Sequence, residues 1–215
     1  MIPDTIDRDD FDGYEDLLQA LPEIARDRTR TAMGRTGTPY HGKEHLGRMW
    51  RLHREVFGSD GQPEMALLIA YHDIVYDPRA PRNQNEEHSA GVFLRDQPEL
   101  GLTQEEAHRI TEAILASSDH LGAGMLRVQS SSNPWGAWFL DLDLEPLASP
   151  HFDRNTERLR EEFGHVPPEQ FNAGRKAFLE SFLAAPYIFR TAMARTRSWE
   201  DKARENISRA LGLLA

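Results

Sequence analysis

From Phe11 the apolar positions Phe11, Tyr14, Leu17, Leu18, Leu21, Ile24 and Ala25 recur at three- and four-residue intervals, behind Asp9 and Asp10, which suit an N-cap. The spacing predicts one amphipathic packing helix that is broken by Gly34-Arg35-Thr36-Gly37. Thr38-Pro39 then reads as an N-cap with proline at the first helical position, so a second helix is expected from about Tyr40, with His41 and His45 on one face. After a turn at Gly58-Ser59-Asp60-Gly61-Gln62-Pro63, the run Met65-Ala66-Leu67-Leu68-Ile69-Ala70 is apolar all round and predicts a buried helix.

The second half of the chain follows the same logic. Asn85-Glu86-Glu87-His88 opens a helix with acidic residues at its positive end, and Thr103-Gln104-Glu105-Glu106 is a capping box for another, through Ile110, Ile114 and Leu115 to Ser117-Ser118-Asp119-His120. Leu121 to Trp135 has no clear period and is rich in Gly, Ser and Asn, which suggests a mobile rim or lid. Trp138-Phe139-Leu140-Asp141-Leu142-Asp143-Leu144 fits a helix better than a strand, with one aspartate inward and the other outward. Ser149-Pro150 and Pro167-Pro168 start two further helices, and Ser198-Trp199 starts the last, which carries Ile207, Leu211 and Leu214. Helical signals throughout, without paired strands or an internal repeat, predict an all-α fold.

At 215 residues and 39% hydrophobic content the chain can bury a substantial core, most simply as a single domain. It has no cysteine, so a metal would have to be held by His, Asp or Glu. A formal net charge of -10 argues against a nucleic-acid polymer as partner but leaves room for a small anionic substrate. Met1-Ile2-Pro3-Asp4-Thr5 lacks the features of a leader and no apolar run reaches membrane-spanning length, so the expectation is a cytoplasmic protein without a membrane partner. No sequence feature fixes an oligomeric state.

His72-Asp73 is the doublet that stands out chemically. An imidazole and a carboxylate at the end of a buried apolar run are costly unless something pairs with them, and a divalent cation can take both. His41 and His45 could bind a metal together, or one could bind while the other meets substrate; a pair of surface or cap histidines is the plain alternative. Glu86 and Glu87 either serve the helix dipole or orient a metal ligand. Arg79 and Arg82 either meet a phosphate or are solvated.

Taken together, His45-Leu46-Gly47-Arg48-Met49, Tyr71-His72-Asp73 and Asp141 resemble the ligand pattern of the HD superfamily. The chain is more narrowly similar to its group of predicted metal-dependent HD phosphohydrolases, through Tyr40-His41-Gly42-Lys43-Glu44-His45, Tyr71-His72-Asp73-Ile74-Val75-Tyr76-Asp77-Pro78, Asn85-Glu86-Glu87-His88-Ser89-Ala90, Phe139-Leu140-Asp141-Leu142-Asp143-Leu144, Gly174-Arg175 and Glu200-Asp201-Lys202-Ala203-Arg204-Glu205-Asn206. It departs from the group at Ser117-Ser118-Asp119, where a threonine-lysine pair is usual before the histidine, at Gly42 and at Leu142.

The resemblance implies a single HD-type helical bundle, with a packing helix in about 1–38, the metal-site core in about 39–145 and C-terminal helices in 146–215. It implies one divalent cation on His45, His72, Asp73 and Asp141; mixed nitrogen and oxygen donors suit Mn, Fe, Co, Ni or Zn better than Mg, which is also compatible. Four ligands leave room for a water and a phosphoryl oxygen of a small phosphorylated substrate, a nucleotide being one candidate. Asp73 would also accept a hydrogen bond from the attacking water, and His120 or His41 would protonate the leaving oxygen or hold the phosphate. Glu86 and Glu87 would lie behind the ligands, while Arg175 and Arg204 would contact an anion or form helix-surface ion pairs. Two other classes stay open: a di-iron oxygenase in which His41 and His120 serve a second iron, and a module that binds a nucleotide without turning it over.

Overall fold

A computed structural model describes residues 8–60, 62–130 and 133–214, and these are helical without a strand. The amino-terminal pentapeptide, Gly61 of the first turn and positions 131–132 of the aperiodic stretch lie outside the described residues.

The helix predicted from Phe11 through Ala25 is two helices, α1 (Arg8–Ala20) and α2 (Glu23–Ala32). Pro22 stands between them in an extended conformation, and a proline there cannot continue the hydrogen-bond ladder of α1. Next, α3 (Lys43–Phe57) begins three residues later than expected, behind Gly42, so Thr38-Pro39 does not start it and His41 precedes it. The apolar run forms α4 (Gln62–Tyr71), and α5 (Gln84–Asp96) follows. The capping box at Thr103 is formed in full: Glu106 N–H donates to Thr103 Oγ1 at 3.2 Å and the Glu106 carboxylate accepts from Thr103 N–H at 2.8 Å, which starts α6 (Gln104–Ala116).

Where a loop was expected after His120, the chain forms α7 (Ala123–Ser130), packed on α6. Gly124 allows the tight junction: a Cβ there would stand 2.1 Å from the Asp119 carbonyl oxygen and 2.3 Å from that of Ala116. Leu140 and its neighbours form α8 (Gly136–Leu144), followed by α9 (Phe152–Glu162), which starts two residues beyond Pro150. Then come α10 (Pro168–Ala184), with proline at its first position as expected, a short α11 (Ala192–Thr196) that the sequence does not announce, and α12 (Trp199–Leu213).

The buried apolar side chains form one cluster that runs from Tyr14 and Leu17 on α1 through Trp50 and residues 65–71 of α4 to Trp138, Trp199 and Ile207. The closest crossing in it is α1 over α3. At Gly47 a Cβ would meet the Asp10 carbonyl oxygen at 1.8 Å and Tyr14 N at 2.6 Å, so the two backbones touch. That contact presses α3 into the core and fixes the height at which His45 emerges from it.

Candidate metal centre

His45 leaves the first turn of α3, and His72 and Asp73 follow the last residue of α4. Asp143 comes from the last turn of α8, where it is four residues after Phe139, whose ring lies edge-on to His72 at 5.4 Å. Residues four apart share a helix face, so the same face that packs Phe139 on His72 delivers Asp143 to it. The ligand atoms of His45, His72 and Asp143 all lie within 4.8 Å of one another, a group that can hold a metal ion.

His72 Nδ1 lies 3.0 Å from the Ile69 carbonyl oxygen, to which it can donate, so Nε2 turns inward. Around that Nε2 stand His45 Nε2 at 3.3 Å, Asp73 Oδ2 at 3.1 Å and Asp143 Oδ1 at 3.7 Å. His45 Nε2 is in turn 3.1 Å from Asp143 Oδ1 and 3.9 Å from Asp73 Oδ2. Burial works against a charge on His72, but Asp73 and Asp143 outweigh it and push its pKa up to about 9. Burial also opposes ionisation of Asp73 and Asp143, yet His72 holds the first below the usual carboxylate range, and His120, His45 and His72 do the same for the second. Electrostatics of this kind favour a positive charge at the centre. A divalent cation fits there, since imidazole nitrogens and carboxylate oxygens are the donors that such an ion takes.

Asp141 is not in this group. Two residues apart on a helix are about 200° apart around its axis, so Asp141 points away from His72, with Trp138, toward the other side of α8. Its carboxylate accepts from Arg190 N–H at 2.8 Å, from Thr191 N–H at 2.8 Å and from Thr191 Oγ1–H at 2.7 Å, just ahead of α11. Burial outweighs these bonds and raises its pKa. The expectation of one inward and one outward aspartate needs correction as well: both are engaged, Asp143 at the cluster and Asp141 in the packing of α8 on the C-terminal segment.

The other expected residues divide. His120 follows the end of α6 and points at the second oxygen of Asp143, 2.9 Å away. Its turn is fixed by the Asp119 carboxylate, which accepts from the N–H groups of Leu121 and Gly122 at 3.3 and 3.1 Å. His41 lies flat against Tyr76, ring centres 3.9 Å apart, and its Nδ1 is 2.7 Å from Glu162 Oε2. The other oxygen of Glu162 accepts from the N–H groups of Tyr40 and His41 at 2.7 and 2.8 Å. Glu162 is therefore the buried anchor of the segment before α3, a role that no local motif signals because it sits about 120 residues away in sequence.

Asp73, His41, His120, Glu86 and Asp143 line one cavity of about 550 Å³, and Arg175 lines it too. Burial, with Asp73 and Asp143 nearby, raises the pKa of Glu86. Glu87 is exposed and outside the cavity lining, so it does not stand behind the ligands; one residue along a helix is enough to turn it to solvent. Arg79 and Arg82 are exposed as well. Arg204 pairs with Glu200 at 2.7 Å and donates to the Leu183 and Ala185 carbonyls at 3.0 and 2.8 Å, which makes it a brace between α10 and α12.

Arg175 differs from these. Its guanidinium lies over the rings of Phe178 and Phe152, 5.2 and 5.7 Å from their centres, and donates to Thr156 Oγ1 at 3.4 Å, while its buried Nε has no partner among the described residues. Burial lowers its pKa, offset in part by Tyr40 and by no carboxylate among the described residues. A cation so placed suits an incoming anion. No family model matches the chain, and neither a curated protein nor a solved structure matches it.

Proposed function

We propose that this protein is a metal-dependent phosphohydrolase of HD type, acting on a small phosphate ester. The observation that carries this reading is the convergence of His45, His72 and Asp143, with Asp73 beside them, at a cavity that Arg175 also lines, a cation without an acidic partner among the described residues. When bound, a divalent ion would make a water acidic enough to attack near neutral pH and would draw charge from a phosphoryl group.

The remaining roles fall to the chain. Asp73 faces the cavity and can orient the attacking water through a hydrogen bond. Arg175 would neutralise ester oxygens that the metal does not reach. His41, with Nδ1 held by Glu162, keeps Nε2 for the leaving oxygen, and His120 steadies Asp143 through the oxygen turned away from His45. The balance is that of any monoester hydrolysis: water oxygen bonds to phosphorus, the ester P–O bond breaks, and one proton of the water ends on the leaving oxygen, giving an alcohol and hydrogen phosphate.

Phosphate release from a panel of monoesters, measured with Mn, Fe, Co, Ni, Zn or Mg added to metal-free protein, tests this. Turnover that needs the ion and falls by at least about a hundredfold in Asp73→Asn supports it. Absence of turnover with every ion and ester contradicts it.

One observation favours a second reading. Asp143 offers one oxygen to His45 and the other to His120, as a bridging carboxylate between two metals would. A di-iron oxygenase would show about two irons per chain and oxygen uptake, where the hydrolase shows one metal and none.

A further inference from the structure

The cavity is chemically divided. Asp73, Asp143, Glu86, His41 and His120 form its polar part, whereas the part built by α9, α10 and the turn between them is a wall of Phe152, Leu159, Phe163, Val166, Phe171 and Phe178. Only Phe152 of these is buried; Leu159, Phe163, Val166 and Phe171 are half-buried and Phe178 is 41% exposed. Arg175 lies over Phe152 and Phe178 and Arg160 over one face of Phe171, and the apolar surface left beside them is stabilised by whatever apolar group comes to lie on it. The wall is also held in place. Glu44 on α3 accepts from Arg158 of α9 through both oxygens, at 2.8 Å in the longer contact, and from Arg154 at 3.4 Å, and Arg160 lies over the Phe171 ring at 5.0 Å.

Polar groups are sparse at this end. The uncharged amides of Asn155 and Gln170 line it, and Arg175 is the one Lys or Arg among the described lining residues. A polyphosphate chain would need several cations, and a sugar would need a hydrogen-bond partner for most of its hydroxyls. Neither set is present on the described wall.

We propose that this end of the cavity is a subsite for an uncharged, predominantly apolar group, so that the substrate is the phosphate monoester of an apolar alcohol or phenol. The proposal rests on the hydrolase reading for the phosphate and on the wall alone for the leaving group. Hydrolysis then releases the apolar alcohol and hydrogen phosphate, with the alcohol resting against Phe163 and Phe171.

Two measurements separate these layers. The first is binding of 1-naphthol, the leaving group without a phosphate, to metal-free protein, followed by its fluorescence, in the wild type and in Phe171→Ser and Val166→Ser. The second is kcat/KM for 1-naphthyl phosphate, glucose 6-phosphate and ATP with the best ion. Thermal unfolding of both variants checks that they are folded, and the two side chains are half-buried, so at least one should be.

Saturable naphthol binding that weakens about tenfold in the folded variants, with naphthyl phosphate favoured over the other two esters by about a hundredfold or more, supports the proposal. No naphthol binding, or equal use of glucose 6-phosphate or ATP, overturns it while leaving the hydrolase reading intact. Naphthol binding without hydrolysis of any ester upholds the apolar subsite and overturns the hydrolase reading instead. A dimer that Phe171→Ser dissociates would show that the wall is an interface between two copies and would also overturn the proposal.

Discussion

Asp141 is the acceptor for two backbone N–H groups and a hydroxyl, all in the partly buried segment just ahead of α11. Its replacement by alanine leaves those donors without a partner, and Asp141→Ala should lower stability by about 2 kcal/mol in urea unfolding while leaving the metal content unchanged. His53 supplies a second prediction. It is fully buried among Trp50, Phe57 and Trp135, and burial pushes its pKa down to about 4 despite its bond to the Asp60 carbonyl. Above about pH 6.5, the unfolded value, both states are neutral and nothing is lost. Between about 6.5 and 4 the unfolded chain takes up a proton that the folded one refuses, so up to about 3 kcal/mol of stability disappears as pH falls. Stability measured from pH 7 to 4 should show this slope in the wild type, and a markedly shallower one in His53→Phe.

At this scale the sequence is partly legible. His72 and Asp73 stand out because a polar pair at the end of an apolar run demands a partner, whereas His45, one of two histidines four apart, is singled out only by the family resemblance. Choosing between Asp141 and Asp143 requires knowing which face of α8 meets His72, and only the packing of Phe139 on His72 and of Trp138 on Trp199 decides that. Glu162 and the orphaned nitrogen of Arg175 are tertiary facts with no local signature.

Among the elements, the crossing of α1 on α3 sets the position of the candidate centre, because His45 stands two residues before Gly47. A methyl group at Gly47 has no space to enter, so the helices must part. Gly47→Ala should cost about 3 kcal/mol in unfolding experiments and weaken metal binding through displacement of α3, whereas Gly212→Ala, with nothing near it, should leave metal binding unchanged and raise stability by up to about 1 kcal/mol. Element types were legible wherever the period was strong or a cap was complete, as at Thr103 and Pro168. Boundaries slipped where a local signal had a rival. Pro22 outweighed the apolar period across it, Gly42 replaced Thr38 as the start of α3, and α7 forms in a stretch whose composition suggests a loop, by packing on α6.

For the whole molecule, α3, α4 and α8 each bring one or more polar groups to a point that would otherwise be apolar core, and the negative groups there repel one another. A cation at that point should couple these elements. Saturation with the preferred ion at about a thousand times its dissociation constant should raise stability by about 4 kcal/mol, seen as a higher Tm that a chelator reverses. The same ion should leave the Tm of Asp143→Ala nearly unchanged.

The most direct measurement is elemental analysis of protein purified without added metal or chelator, for the wild type, Asp143→Ala and Asp141→Ala side by side. About one equivalent of a transition metal is expected in the wild type and in Asp141→Ala, and almost none in Asp143→Ala. Metal retained in Asp143→Ala, metal lost from a folded Asp141→Ala, or a wild type that takes up no ion when offered Mn, Fe, Co, Ni or Zn would contradict it.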